Sequence, residues 1–202
     1  MAVTVLSEER REEIVLAALD TFVEQSWFDV RLDAVARRAG ADPDDVRRAF
    51  GTREELFRAA LALFARQTVE RAGNELPRGS ARDQLRMVCD RAWETLRTPQ
   101  FGALYRIAFA LKPTTPSLGQ DFRTLFVDRW KRLLDQVLTR GIASGELRPN
   151  AASAARIISS SLLLQAIWCT NAEADHVPGP AANRVVSDLL DIILEGIAVT
   201  AR

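Results

Sequence analysis

The chain has 202 residues, of which 48% are hydrophobic and 27% are charged, as expected of a globular protein with a substantial core. Its 27 basic and 27 acidic residues give zero net charge, which excludes a protein that coats nucleic acid through bulk positive charge. The two cysteines, Cys89 and Cys169, lie far apart in apolar segments, so we predict a reducing compartment and no disulfide framework.

The N-terminal segment is polar and lacks the basic and apolar regions of a signal peptide. The charge-free stretch over residues 157–172 is too short and too polar to span a bilayer. We therefore expect a cytoplasmic protein that has no membrane partner.

The first predicted element is a helix of about four turns. Ile14, Ala18 and Phe22 recur every four residues and form one apolar stripe, and Ser7 is a suitable N-cap. A short second helix follows, which Gly40 ends in the left-handed conformation. The inner face of this second helix consists of Leu32, Val35, Ala36 and Ala39.

A third helix is predicted immediately afterwards. Asp42 is its N-cap and Pro43 occupies its first position. Gly51 ends it, and Thr52 and Glu55 then form a capping box that opens a long fourth helix. Two short helices joined by such a tight turn are a candidate helix-turn-helix, here over about residues 31–50.

The remainder of the chain also carries helical periodicity. We predict helices over 80–97, 100–112, 119–143, 151–173 and 181–200, separated by proline and glycine. Because no window alternates between apolar and polar residues, no strand is predicted. The fold class is therefore all-α, with about nine helices.

The N-terminal motifs resemble those of the TetR family of transcriptional regulators over about residues 8–66. The residues that carry the resemblance are Ile14, Ala17, Ala18 and Phe22, then Val35-Ala36-Arg37-Arg38-Ala39-Gly40, then Phe50-Gly51-Thr52-Arg53-Glu54-Glu55-Leu56. The resemblance implies a three-helix DNA-binding domain over 1–70 and a helical effector-binding and dimerisation domain over 71–202. The implied protein is a homodimeric repressor, which a small and largely apolar effector releases from a palindromic operator.

The helix-turn-helix departs from the family in its charge. The family usually has Thr at the position of Arg31, Gly at Asp44 and Tyr at Arg47. Residues 31–58 hold seven arginines and six carboxylates, so this segment carries only one net positive charge. The expected DNA-binding residues are Arg31, Asp42, Pro43, Asp44, Asp45, Arg47, Arg48 and Arg53. The aspartates either contact DNA or only cap the helix, so the alternative is a ligand- or partner-binding dimer with impaired DNA binding.

Two further sites are expected in the C-terminal half. Aromatic stripes there form either an ordinary core or the walls of an effector pocket with a few polar contacts. The expected pocket residues are Cys89, Trp93, Phe101, Leu104, Tyr105, Phe109, Phe126, Trp130, Gln165 and Trp168. The last two helices are apolar on more than one side, which favours a two-fold dimer built as a four-helix bundle. The expected interface residues are Ile158, Leu162, Val186, Leu189, Ile193 and Ile197.

An enzyme is the rival class. His176 is the only histidine, and the chain contains no HExxH, P-loop, GxSxG or CxxC spacing. We therefore expect no catalytic residue, no metal site and no cofactor. A redox switch at Cys89 is the alternative to a buried and inert thiol.

Overall fold

The computed structural model describes residues 6–76, 78–171 and 180–199, with the backbone alone at 169–171 and 180–182. His176 lies outside the described residues, as does the side chain of Cys169. The described α-helices are α1 (Glu8–Glu24), α2 (Leu32–Ala39), α3 (Pro43–Phe50), α4 (Arg53–Ala65), α5 (Arg71–Asn74), α6 (Ala81–Leu96), α7 (Pro99–Ala110), α8 (Pro116–Phe122), α9 (Asp128–Ala143), α10 (Ala154–Asn171) and α11 (Pro180–Ile197).

Shorter elements connect some of these helices. The π-helical turn Arg66–Glu70 joins α4 to α5, a second one at Arg123–Val127 joins α8 to α9, and the 3-10 turn Pro149–Ser153 precedes α10. Within the described ranges, extended pairing is limited to an isolated antiparallel bridge between Leu147 and Ala198. The predicted all-α fold class is confirmed.

The predicted helix caps form with one exception. Ser7 Oγ accepts from the amide of Arg10, Asp42 Oδ1 from the amide of Asp44, and Thr52 Oγ1 from the amide of Glu55. The exception is the second half of the capping box, because the Glu55 carboxylate accepts from Arg58 Nη1.

The chain divides into two compact units. One contains Met1–Arg66 and Ala103–Leu125, and the other contains Gln67–Gly102 and Phe126–Arg202. The predicted boundary at residue 70 therefore differs from the structure in two ways: the first unit ends at Arg66, and it also includes part of α7 and α8.

The first unit is organised around α1, which packs on α2 and α4. Its core contains an aromatic cluster, in which Phe22 lies 6.0 Å from Trp27 and 5.7 Å from Phe57, measured between ring centroids. All three side chains are buried. Because this cluster fixes the α1–α2 connection against α4, it positions the two short helices that follow.

The second unit is built from α6, α9, α10 and α11. Other segments of this unit pass close to α9 at Gly141. A Cβ there would lie 2.5 Å from Cβ of Ala81 and 2.6 Å from Cδ1 of Leu147. Beside this contact, the Glu146 carboxylate accepts a hydrogen bond from the amide of Ala81 at 2.7 Å. The turn after α9 is thereby tied to the start of α6.

One described segment, Pro149–Trp168, has the length and composition of a membrane span, with a mean hydropathy of 1.2 over a window that is 33% buried. It comprises the 3-10 turn and most of α10, which packs on α6, α9 and α11 within the second unit. A helix of a globular core has the same length and composition.

Candidate functional site

The turn between α2 and α3 has the geometry of a helix-turn-helix. Gly40 ends α2 with a φ of 58°, and the amide of Ala41 donates to the carbonyl of Ala36 at 2.9 Å. Val46 and Phe50 bury one face of α3. The opposite face of α3 is therefore left to solvent, as a helix that enters a DNA groove requires.

The exposed face of α3 presents two arginines, each paired with an aspartate. Arg47 donates from Nη1 to Oδ1 of Asp44 at 2.6 Å and from Nη2 to Oδ1 of Asp33 at 2.5 Å. Arg48 pairs with Asp45 one turn earlier. Exposed pairs of this kind contribute no more than about 1 kcal/mol, so DNA phosphates or base edges can replace the aspartates.

Arg31 differs from these two arginines. It is the N-cap of α2, but its side chain makes no capping hydrogen bond. Its side chain is exposed, and no described group pairs with it. Its guanidinium is therefore available to a phosphate.

Arg53 has a different role from the one expected. Its Nη1 donates to the carbonyl of Trp27 at 2.5 Å, and its Cζ lies 4.3 Å from the centroid of the Trp27 ring. Its Nε is buried without a partner in the described structure. These contacts hold the guanidinium of Arg53 against the α1–α2 connection of its own chain.

A second arginine, Arg11, also contacts its own chain and was not among the expected residues. Its Cζ lies 4.4 Å from the centroid of the Phe50 ring, and its Nη1 donates to the carbonyl of Ala49 at 3.1 Å. Both contacts hold the C-terminal end of α3 against α1. The sequence pattern carries no signal for this role, because Arg11 falls in the polar first turn of α1.

The expected pocket residues are divided between the two units. Leu104, Tyr105 and Phe109 belong to the first unit, where the rings of Tyr105 and Phe109 lie 4.4 Å apart. Tyr105 also packs edge-on against Phe122, with 6.0 Å between centroids, and burial raises the pKa of its phenol. Phe109 is 46% exposed.

The second unit contains an apolar groove that is partly open to solvent. It lies among α6, α9, α10 and the π-helical turn that precedes α9. No charged side chain occurs in the lining, among the residues that the structure describes. The lining residues are Ala92, Leu96, Phe126, Val127, Trp130, Leu134, Ser159, Leu162 and Leu163.

Two residues of the expected pocket, Phe126 and Trp130, line this groove. Phe101 lies beside it, because its ring is 5.3 Å from that of Phe126 between centroids. Two other expected residues of this unit lie outside the lining: Cys89 is fully buried in the core, and Trp168 is 66% exposed.

Two further expected pocket residues also fall outside the lining. Gln165 is half-buried on α10. Trp93 is buried on α6, and its Nε1 donates to Oδ1 of Asn183 at 2.7 Å, which ties α6 to α11. The indole of Trp93 is therefore a structural contact within the second unit.

Trp130 and Ser159 are the lining residues with a polar side-chain atom. Trp130 is 5% exposed, and its Nε1 is buried without a hydrogen-bond partner in the described structure. The Ser159 hydroxyl donates to the carbonyl of Ala155 at 2.6 Å, so its proton is used within α10. Ser159 was not among the expected pocket residues, because it falls in a run of three serines without a distinguishing pattern.

The expected interface residues are mostly buried within their own chain. Ile158, Leu162, Val186 and Ile197 are at most 8% exposed, and Leu162 lines the groove. Leu189 and Ile193 are half-buried. The helical period alone does not show which apolar side of α10 or α11 faces the chain's own core.

The exposed apolar residues of α10 and α11 form a separate set, which we call the outer apolar face. Its members recur at the helical spacings of seven and four residues and are each at least 50% exposed. They are Ile157, Leu164 and Trp168 on α10 and Val185 and Ile192 on α11.

Solved structures share this fold. A proposed TetR-family transcriptional regulator from Mesorhizobium loti MAFF303099 superposes with a TM-score of 0.80, at 17% identity, over 96% of this chain and 100% of that chain. The transcriptional regulator FadR from Bacillus subtilis, in complex with stearoyl-CoA, gives 0.75 at 17% identity, over 93% of this chain and 99% of that chain. A proposed transcriptional regulator from Saccharomonospora viridis, in complex with choline, gives 0.77 at 18% identity, over 96% and 100%.

No curated protein sequence matches the chain. Residues 76–189, which are more than half of it, match the family described as "Tetracyclin repressor-like, C-terminal domain". Proteins of this family are generally DNA-binding regulators rather than enzymes. The chain therefore belongs to the TetR family of transcriptional regulators.

Proposed function

We propose that this protein is a cytoplasmic, homodimeric repressor that binds a palindromic operator through α3 and leaves it when a small, largely apolar effector occupies the groove of the second unit. The observation that carries the proposal is the helix-turn-helix itself, in which α3 buries Val46 and Phe50 and presents Arg47 and Arg48 to solvent. Each of these guanidiniums can contact a phosphate or donate two hydrogen bonds to guanine in the major groove.

The charge of residues 1–72, which we call the head, favours binding through individual arginines over binding through bulk charge. Residues 1–72 contain 11 basic and 14 acidic side chains, a net charge of −3. Such a head gains little from the general attraction between cations and DNA. We therefore assign the affinity to arginines at defined positions, which are Arg31, Arg47 and Arg48.

The outer apolar face supports the dimer. Five large apolar side chains on two neighbouring helices are each at least half exposed, and a contiguous apolar patch of this kind marks a protein–protein interface. Pairing α10 and α11 with the same helices of a second copy buries this face in a four-helix bundle. A two-fold dimer then offers two copies of α3 to half-sites about 34–36 Å apart.

The groove supports the response to an effector. Its apolar lining suits a small, largely apolar molecule. Two structurally similar regulators are bound to stearoyl-CoA and to choline. An effector in the groove changes the affinity for DNA only as far as it binds the two conformations of the dimer differently.

The experiment is a gel retardation assay with the intergenic DNA upstream of the protein's own gene, performed from 20 to 200 mM salt. We expect a retarded complex that survives an excess of unrelated duplex. If no duplex is retained even at low salt, including any selected from a random pool, DNA binding is excluded. The alternative, a helical ligand- or partner-binding dimer of this family, then replaces it.

A further inference from the structure

Two neighbouring arginines at the start of α1 each donate a hydrogen bond to the end of one helix of the helix-turn-helix. Arg10 donates from Nη2 to the carbonyl of Gly40, the C-cap of α2, at 2.5 Å. Arg11 donates from Nη1 to the carbonyl of Ala49, in the last turn of α3, at 3.1 Å. Carbonyls at the C-terminal end of a helix lack a partner within it and carry the negative end of its dipole, so both guanidiniums meet a helix end that attracts a cation.

Arg11 makes a second contact, with the ring of Phe50. Its Cζ lies 4.4 Å from the ring centroid, and Phe50 is the buried last residue of α3. The guanidinium therefore covers this ring while it donates to the carbonyl of the preceding residue. Because the group is planar and rigid, an arginine that stacks and donates at once is held at a defined position. One side chain of α1 thus fixes the C-terminal end of α3 by two contacts.

We propose that Arg11 is a positioning residue for DNA recognition, which sets the angle at which α3 presents Arg47 and Arg48 and does not contact DNA itself. This inference rests on the proposed operator binding and adds a residue on which its specificity depends. Because α3 has only eight residues, about 12 Å, a tilt at its end moves both arginines. Hydrogen bonds to base edges tolerate changes of only about half an ångström, so such a tilt weakens sequence recognition.

Arg53 provides a matched comparison, because it makes the same two kinds of contact elsewhere in the first unit. Its Cζ lies 4.3 Å from the centroid of the Trp27 ring, and its Nη1 donates to the carbonyl of Trp27. These contacts fix the α1–α2 connection, whereas those of Arg11 fix α3. Replacement by lysine keeps the charge and loses the planar group in both cases. An effect of general destabilisation is therefore common to R11K and R53K, and an effect through α3 is confined to R11K.

The test measures sequence preference and salt dependence in the same titrations. The wild type, R11K, R53K and R11A are titrated with a duplex enriched from a random pool and with a scrambled duplex, at a temperature where circular dichroism shows each variant to be folded. We expect the preference for the enriched duplex to fall at least about fivefold in R11K, the value of one weakened base contact, and to stay unchanged in R53K.

The salt dependence distinguishes positioning from direct contact. A side chain that binds a phosphate releases counterions, so its removal lowers the slope of log K against log[salt] by about one. We expect R11A to keep the wild-type slope over about 50–200 mM salt, because Arg11 is assigned to α3 and not to the DNA backbone.

A measurement on the wild type covers the case in which the Arg11 variants do not fold. The ring current of Phe50 should shift the Nε proton of Arg11 upfield, because the guanidinium lies over the ring face. This shift should persist in the complex with the enriched duplex. Its disappearance on binding would mean that the guanidinium leaves Phe50 for DNA, which overturns the inference.

The outcomes separate the inference from the proposed function. An equal loss of preference in R11K and R53K, or no loss in R11K, overturns the positioning role but leaves operator binding in place. A slope lowered by about one in R11A makes Arg11 a phosphate contact and also overturns it. If the wild type binds no duplex, the proposed DNA binding fails first, and the inference falls with it.

Discussion

Asp33 on α2 accepts a hydrogen bond from Nη2 of Arg47 on α3, at 2.5 Å. Nη1 of the same guanidinium donates to Asp44 at 2.6 Å, so two carboxylates hold Arg47 from both ends. The contact links the two helices of the helix-turn-helix through exposed side chains, beside the buried contacts of Val46 and Phe50. It therefore fixes the position of one of the two arginines on the exposed face of α3.

Replacing Asp33 tests whether this contact positions Arg47. Asp33→Asn removes one negative charge and weakens one of the two pairs. We expect the affinity for unrelated duplex to rise several-fold at low salt, because counterion release increases, while the preference for the operator falls. Fluorescence anisotropy with both duplexes over a range of salt measures the two quantities.

Asp29→Asn is the matched control, because Asp29 is an exposed carboxylate in the same head without a side-chain partner among the described residues. It changes the charge equally but does not contact Arg47. If D29N and D33N alter operator preference alike, the Asp33–Arg47 contact has no positioning role.

Arg53 is expected to affect stability more than DNA binding. Arg53→Lys keeps the charge but loses the planar group that stacks on Trp27 and donates to its carbonyl. We expect the free energy of unfolding to fall by about 1–2 kcal/mol, as for loss of a cation–π contact and a charged hydrogen bond. Urea denaturation measures it, with the exposed Arg37→Lys as the control. Unchanged stability together with weaker operator binding would return Arg53 to the phosphate contacts.

The outer apolar face can be tested through Ile192, which is 71% exposed. In a two-fold dimer, Ile192→Asp introduces two carboxylates into the interface, where each loses hydration without gaining a partner. We expect the dimer dissociation constant to rise by at least about 100-fold, equivalent to about 2.7 kcal/mol. Sedimentation equilibrium provides the measurement.

Phe28→Asp is the control for that variant, because Phe28 is 77% exposed but lies in the first unit. It should leave the dimer intact. A wild type that sediments as a monomer at micromolar concentration, or an I192D variant that remains dimeric, would contradict the assignment of this face.

Cys89 is expected to be inert in the native protein. Burial raises the pKa of its thiol to about 12, so the reactive thiolate is scarce at pH 8. In a Cys169→Ser variant, we expect a thiol reagent such as DTNB to react only after denaturant is added. Because the native pKa exceeds that of the unfolded chain, this group's contribution to stability is present below pH 9 and is lost as the pH rises towards 12. Rapid labelling of the native variant would revive the redox-switch alternative.

The helices and caps of the head follow from local sequence. Ser7, Asp42 and Thr52 cap where predicted, and Gly40 has the positive φ expected of a helix end. These features depend on residues within a few positions of each other, which a sequence displays directly.

Features that depend on distant residues were not predictable in the same way. The engagement of Arg53 with Trp27 joins residues 26 positions apart, and the pairing of Arg47 with Asp33 joins residues 14 apart. An arginine in a basic motif has the same sequence signal whether it faces DNA or its own chain.

The groove and the interface show the limit of helical periodicity. For α10 the pattern indicated two apolar sides, but Ile158 is fully buried and Ile157 is 53% exposed, although they are neighbours in sequence. Which side faces the core is decided by α6, α9 and α11 together, and a single helix does not contain that information.

The central claim, that arginines at defined positions give this protein specific DNA binding, is tested most directly by comparing the wild type with Arg47→Ala. A duplex enriched from a random pool and a scrambled duplex are titrated at about 150 mM salt, with Arg140→Ala, an exposed arginine of α9, as the control. We predict a wild-type preference of at least about 10³ for the enriched duplex, a loss of about 10- to 100-fold in R47A, and no loss in R140A. Equal preference in the wild type and R47A, or no enriched sequence at all, would contradict the claim.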